Sequence, residues 1–394
     1  MEEEGLDALL VYGEREGSFP APFAPDVYFT NDRPGSIVIL PRGQEPIAVV
    51  FLTTVVEDHI QARHVGPTGW LRPENIYVGK LGSNLVEVIE ERGLDRAAFG
   101  VIGLEPYPPF YFDGAMPYNT WQGVLDDLPN ARFTPVGRRF FELISPKSAE
   151  ELRVLRWSAS VGERMAQAML EITRVGVAEN VIYAAAMRAC AEHLGFTSGM
   201  ALGSGPEWVG WGSPAWTYRP QRPRVIQHGD TVLAELFCSF GMLETQHQPT
   251  IAVGTVHPDI EKAADIAQES YLAGIERLRP GTVFGEVVDA MAEPARRAGG
   301  WHVHPLIHTI SPYGLIGTGH QGAELPEVVE YGKVLPIPTI GRDTVLQVGT
   351  VFAFEPNCAI GRHLVNVGGT VVVGPDGAIE LNANTTRMMR TRER

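Results

Sequence analysis

Two carboxylates stand in runs where an isolated charge is costly. Glu235 follows Val-Leu-Ala and precedes Leu-Phe, and Glu355 follows Val-Phe-Ala-Phe, so each belongs to a segment that reads as a buried strand. An ionised carboxylate there needs a partner, in a structural ion pair or in a site that uses the charge. His308 ends the apolar approach Pro305-Leu306-Ile307. A buried imidazole near carboxylates titrates close to neutral pH, which suits acid-base work, and its plain alternative is a histidine satisfied in the core. Glu244 and His247 lie three apart near a strand turn, a spacing that sets both over one pocket. They are candidates for proton transfer, or for one metal ion together with His308 and Glu355, against a solvated turn. His302, His304 and His363 rank below these.

Trp208, Trp211, Trp216 and Tyr218 place three indoles and a phenol within eleven residues broken by Gly and Pro. No regular amphipathic helix forms from such a stretch, so a folded loop presents the rings. The functional reading is an aromatic wall that holds a flat or cationic substrate through its π faces. A hydrophobic plug or a dimer contact is the alternative. Arg219, Arg222 and Arg224 follow, and one of them could clamp a substrate carboxylate.

These groups need elements to hold them. Leu9 to Tyr12, Ser36 to Leu40 and Ile47 to Phe51 read as strands, the last two joined by a hairpin-length turn. Asn84 to Arg92 has helical periodicity and Phe99 to Gly103 reads as a strand, which makes a small α/β unit. Glu105 to Pro117 is an aromatic, Pro-rich loop that packs on its own domain or reaches another. Near Ile144 to Lys147 a boundary is expected, because Ser148 and Glu151 then form a capping box ahead of a long helix to about Arg174. Further helices are expected at Asn180 to His193, His257 to Leu278 and Gly285 to Ala298. Strands are expected at Thr231 to Cys238, Thr250 to Val253, Val351 to Glu355 and Thr370 to Val373. Helices on one face of a mostly antiparallel sheet define an α+β second domain.

Bulk properties narrow the function classes. At 394 residues the chain exceeds one ordinary core, so two domains are expected. A net charge of −15 repels phosphate backbones and anionic lipid, which argues against nucleic-acid and membrane partners. The opening MEEEGLDALLVYGE lacks a basic run before an apolar stretch, so no secretion signal is expected. No window approaches the roughly 18 apolar residues of a membrane span. Cys190, Cys238 and Cys358 show no CxxC spacing and read as buried thiols in a reducing cytoplasm. Gly203-Ser204-Gly205 follows a helix and precedes the Trp-rich loop, which is no context for a phosphate-binding turn.

Five passages in the second domain carry a resemblance. Lys147-Ser148-Ala149-Glu150-Glu151-Leu152 is followed in order by His228-Gly229-Asp230-Thr231-Val232-Leu233-Ala234-Glu235, Pro305-Leu306-Ile307-His308, Val351-Phe352-Ala353-Phe354-Glu355-Pro356 and Gly374-Pro375-Asp376-Gly377. Over residues 146 to 385 the chain resembles the pita-bread family of creatinase, prolidase, aminopeptidase P and methionine aminopeptidase, and its first domain suits the two-domain creatinase and prolidase branch. The resemblance implies an α+β pita-bread domain over 146–394, a smaller α/β domain over 1–145, and a homodimer. Peptidases of this fold hold two metal ions with two Asp, one His and two Glu, and shared carboxylates offset the repulsion between the ions. The five positions fall on Glu235, Gln246, His308, Glu355 and about Gly368. The two bridging carboxylates are the ones replaced. His320 falls near the position of a second, substrate-contacting histidine, at a longer spacing from His308 than the family's.

Creatinase keeps the fold without metals and breaks a C–N bond with His and Glu side chains. By that resemblance the first expectation is a cytoplasmic hydrolase of an amide or amidine-like C–N bond in a small cationic or zwitterionic substrate, with no cofactor. His308, Glu355 and Glu235 would be catalytic, Glu244 and His247 would assist, and Trp208, Trp211, Trp216, Tyr218 and His320 would bind substrate. A metal-dependent Xaa-Pro peptidase or lyase using one Mn, Fe or Zn ion is the second expectation, and a non-catalytic protein that keeps the pocket for binding is the third.

Overall fold

Short apolar runs separated by turns fold into a mixed sheet in the first part of the chain. The computed structural model describes residues 1–14, 24–32, 34–66, 70–79, 81–108, 110–197, 199–207, 210–319 and 337–392, and it divides into two units, Met1–Leu143 and Ile144–Arg394. In the first unit the strands are β1 (Ala8–Tyr12), β2 (Ile37–Pro41), β3 (Ile47–Val50), β4 (Ile76–Val78), β5 (Ala98–Ile102) and β6 (Arg132–Pro135), in the order β4-β3-β2-β1-β5-β6. Helix α1 (Pro25–Thr30) lies between β1 and β2. The parallel pairings β3 with β4 and β5 with β6 require crossovers. Helices α2 (Thr53–Val65) and α4 (Tyr118–Asp127) supply them, and α3 (Gly82–Glu91) joins β4 to β5. Helix α3 buries Leu85, Val86, Val88 and Ile89 beside the β-strand residues Leu10, Ile39 and Phe99.

The sequence expectations omitted α2, and its composition explains why. Thr53 to Val65 has no apolar stripe, and His59 is the helix's buried residue. Topology makes it a helix, since parallel β3 and β4 cannot be joined by a tight turn. In the aromatic loop, Tyr107 is buried against Phe110 and Phe141 of the same unit, while Phe112 stays exposed.

After α5 (Gly137–Ile144), the capping box forms as its spacing predicts. Ser148 Oγ accepts from the Glu151 N–H, and Glu151 Oε2 accepts from the Ser148 N–H at 2.8 Å. Helix α6 (Ala149–Ile172) follows, then α7 (Glu179–Glu192). The strands of this unit are β7 (Met200–Gly205), β8 (Thr231–Phe240), β9 (Leu243–His247), β10 (Thr250–Ala252), β11 (Ile307–Thr309), β12 (Ile316–Gly317), β13 (Val351–Phe354), β14 (Asn357–Ile360), β15 (His363–Asn366), β16 (Gly369–Val373), β17 (Ala378–Glu380) and β18 (Met389–Arg390). The sheet path is β12-β11-β13-β16-β9-β8-β10-β18, with β7 on β8, β17 on β16, and β14-β15 as a separate hairpin. Pairing is antiparallel except between β10 and β18. Helix α6 packs on β8 and β9, and α8 (Pro258–Arg277) packs on α9 (Phe284–Arg297) and on the hairpin. Among the described residues no helix is long and apolar enough to cross a membrane.

Candidate active site

Register decides which side chains meet. Side chains alternate along a strand, and directly paired residues of antiparallel strands share a face. The β8–β9 register pairs Phe237 with Gln246 and Ser239 with Glu244, so Glu235, Glu244 and Gln246 project to one side while Leu236 and His247 project to the other. The β11–β13 register pairs His308 with Ala353, which brings Glu355, two residues on, to the side of His308.

His308 is the hub. Its Nδ1–H donates to the Thr309 carbonyl at 2.9 Å, which leaves Nε2 as an acceptor facing Glu355 Oε1 at 2.9 Å and Gln246 Oε1 at 3.2 Å. The Gln246 amide is oriented by its Nε2, which donates to Glu244 Oε1 at 2.9 Å and to the Tyr313 hydroxyl at 3.0 Å. Tyr313 in turn donates to Glu244 at 3.0 Å and stacks on the His308 ring, centroids 5.0 Å apart. Glu235 accepts from Trp211 Nε1 at 2.7 Å and from Gln248 Nε2 at 3.3 Å, and its carboxyl lies near enough to Glu355 for the two to influence each other's charge.

Burial dominates the electrostatics. It pushes Glu235 up to about 8, helped by the neighbouring Glu355 carboxylate. It pushes Glu355 up to about 8 as well, with the neighbouring Glu235 carboxyl opposing and the charge of Glu244 adding. Glu244 is raised for the same first reason. His308 is lowered by burial against the opposing pull of its Thr309 bond and of the Glu235 and Glu244 charges, so the ring stays neutral. Three acceptors therefore converge: His308 Nε2, Gln246 Oε1 and, once ionised, Glu355 Oε1. Such a point needs either the proton that the raised carboxyls retain or a cation.

Of the sequence candidates, the fold brings together Glu235, Glu244, His308, Glu355 and Trp211. It does not bring His247. That ring is buried on the opposite face under α6, where Gly162 makes room for it: a Cβ at 162 would lie 2.2 Å from the ring. There its Nδ1 is 3.5 Å from Glu163 Oε1. The spacing of three from Glu244 suits a helix, whereas in a strand an odd spacing separates the pair. Trp216 packs edge-on against Tyr183 in the core between helices and sheet, and Tyr218 is exposed, so neither joins the cluster. Trp208 and His320 lie outside the described residues. Arg224 makes a two-pronged ion pair with Asp230 and is not available as a substrate clamp. Gln248 and Tyr313 were missed. The same alternation that links 244 and 246 would have flagged Gln248, but nothing local marks Tyr313, which a turn returns to His308.

Gly368 closes the other side. Its φ is +123°, and a Cβ there would sit 2.2 Å from the Phe354 carbonyl oxygen, so this backbone accepts no side chain at that position.

The model of metallopeptidase family M24 matches residues 153–375. Methionine aminopeptidase A of Synechocystis sp. is 27% identical over 137 residues, 35% of this chain and 49% of that enzyme, so the chain spans about half the length of this curated relative. The X-Pro aminopeptidase of Thermotoga maritima superposes with a TM-score of 0.73 at 15% identity, over 99% of this chain and 97% of that one. The prolidase of Pyrococcus horikoshii gives 0.71 at 16%, over 99% and 96%. The expected pita-bread α+β fold with a smaller α/β region before it is the fold found.

The match to a metallopeptidase family overturns the expectation of a site that needs no cofactor. The donors present fit one divalent cation. The Glu355 carboxyl, a neutral imidazole with its other nitrogen tied to a carbonyl, and the Gln246 amide oxygen meet at one point, with the Glu235 carboxyl held beside them by Trp211 and Gln248. Of the two positions that the resemblance assigns to bridging carboxylates, Gln246 is neutral and Gly368 has no room for a side chain.

Proposed function

Because the chain belongs to metallopeptidase family M24, we propose that it hydrolyses the C–N bond of a small zwitterionic substrate of the dipeptide class, Xaa-Pro included. Glu235, His308 and Glu355, with the Gln246 amide oxygen, would hold one divalent cation, which when bound polarises a carbonyl. The convergence of Gln246 Oε1 and Glu355 Oε1 on His308 Nε2 carries this reading. Trp211 and the carboxylate it orients, Glu235, match the cationic amino end of such a substrate. Glu355, through the carboxylate oxygen that does not face His308, would take the proton of the attacking water and give it to the departing nitrogen, while Glu244 and Tyr313 hold Gln246 in register. The homodimer expected from the resemblance belongs to the same proposal.

The test is a panel of Xaa-Pro and other dipeptides beside small cationic amides, run on chelated protein with Mn²⁺, Co²⁺ or Zn²⁺ added back. Dipeptide cleavage that chelation abolishes and one equivalent of metal at the Glu355 cluster restores is expected. Full turnover in the chelated protein, or a need for two ions at that cluster, would overturn the reading.

A further inference from the structure

We propose that His257, Asp259 and His363 form a second cation site, for a single transition-metal ion of the Zn²⁺ type. One donor atom from each of the three lies within 4.8 Å of the others. His257 is the N-cap of α8, Asp259 stands in its first turn, and His363 opens β15. The two rings lie 4.2 Å apart and nearly parallel, and His257 Nδ1 is 3.7 Å from Asp259 Oδ2.

The chemistry of His363 points to a cation. Its Nδ1–H donates to the Pro206 carbonyl at 2.9 Å, which fixes the tautomer with Nε2 as a free donor of its lone pair. Metal-bound imidazoles use this arrangement, the second nitrogen anchored to a carbonyl or carboxylate. His363 is nearly buried, whereas His257 is 52% exposed and free to turn its ring. The 3.2 Å cap bond that His257 accepts from the Asp259 N–H is the contact that metal binding exchanges. Arg362 is adjacent in sequence, but its guanidinium pairs with Glu207 at 3.6 Å. Asp259 supplies negative charge against the positive end of the helix, while Glu261 in the same turn is paired with Arg390. Two imidazoles and one carboxylate with an open fourth position suit tetrahedral Zn²⁺, Co²⁺ or Ni²⁺ better than Mg²⁺ or Ca²⁺.

An ion there ties the β14–β15 hairpin to the start of α8. The hairpin begins with Asn357, whose Nδ2 donates to the Glu355 carbonyl at 2.8 Å, so the ion braces the segment that follows the active-site carboxylate.

Zn²⁺ binding to the chelated full chain, counted by equilibrium dialysis and atomic emission, tests the site in wild type and in Glu355→Gln, which disables the other cluster. His257→Asn removes the imidazole and keeps a good N-cap, so the helix start is preserved. Glu355→Gln is expected to retain one Zn²⁺, and adding His257→Asn or His363→Ala is expected to weaken that ion more than about tenfold, the least that loss of even an outer partner costs. Zn²⁺ should also raise the thermal midpoint only in chains that keep both histidines. Zn²⁺ binding in Glu355→Gln that His257→Asn leaves unchanged would overturn the proposal. If the active-site cation alone is wrong, wild type and Glu355→Gln bind equally while the His257→Asn effect persists.

Discussion

Glu235 and Glu355 are legible in the sequence as carboxylates inside apolar strands, but not as neighbours in one buried cluster. Their burial gives a pH signature. In chelated protein Glu355 holds its proton up to about 8, whereas an ordinary carboxyl releases it near 4.5. Between those values the folded chain binds the extra proton, so stability is greatest below the lower value and falls as pH rises through the upper one. Thermal melts of chelated protein from pH 5 to 9 should show this loss, on the order of a few kcal/mol, and Glu355→Gln should make it shallower, leaving the part that belongs to Glu235, which burial also raises to about 8. An equally steep fall in Glu355→Gln would remove Glu355 as the cause. Cation binding favours the ionised carboxylates, so metal affinity should climb over the same window.

At the scale of elements, the capping box of α6 and the apolar strands β8 and β13 follow from local sequence, because local hydrogen bonds and periodicity specify them. Helix α2 and the fate of His247 do not. The first depends on a parallel crossover, and the second on which face of β9 meets α6. Gly368 belongs at this scale too, since its closeness to β13 arises from the pairing of Phe354 with Gly369. Restoring the family's missing glutamate by Gly368→Glu should therefore fail. Positive φ and the overlap with the Phe354 carbonyl should cost about 2 kcal/mol or more, read by urea denaturation. The number of ions bound at the Glu355 cluster should stay at one. A stable Gly368→Glu chain with two ions there would show that the strand pair yields.

Over the whole molecule, each unit has its own core, and the assignment of 1–145 and 146–394 as separate domains is a proposal with a direct test. Phe99 is fully buried in the first unit, stacked on Phe133 at 5.4 Å. Phe99→Ala should destabilise that unit by about 3–5 kcal/mol, while metal stoichiometry, measured by dialysis, stays unchanged. A loss of metal in step with the first unit's melting would show one folding unit. The sequence by itself determined the carboxylates, the histidine at the strand end and the helix cap, because residue type and local periodicity carry that information. Tertiary structure alone decided that Tyr313 and Gln248 complete the cluster, that His247 and Trp216 leave it, and that His257 meets His363. Those outcomes rest on strand register and on contacts between residues far apart in the chain, which no local pattern encodes.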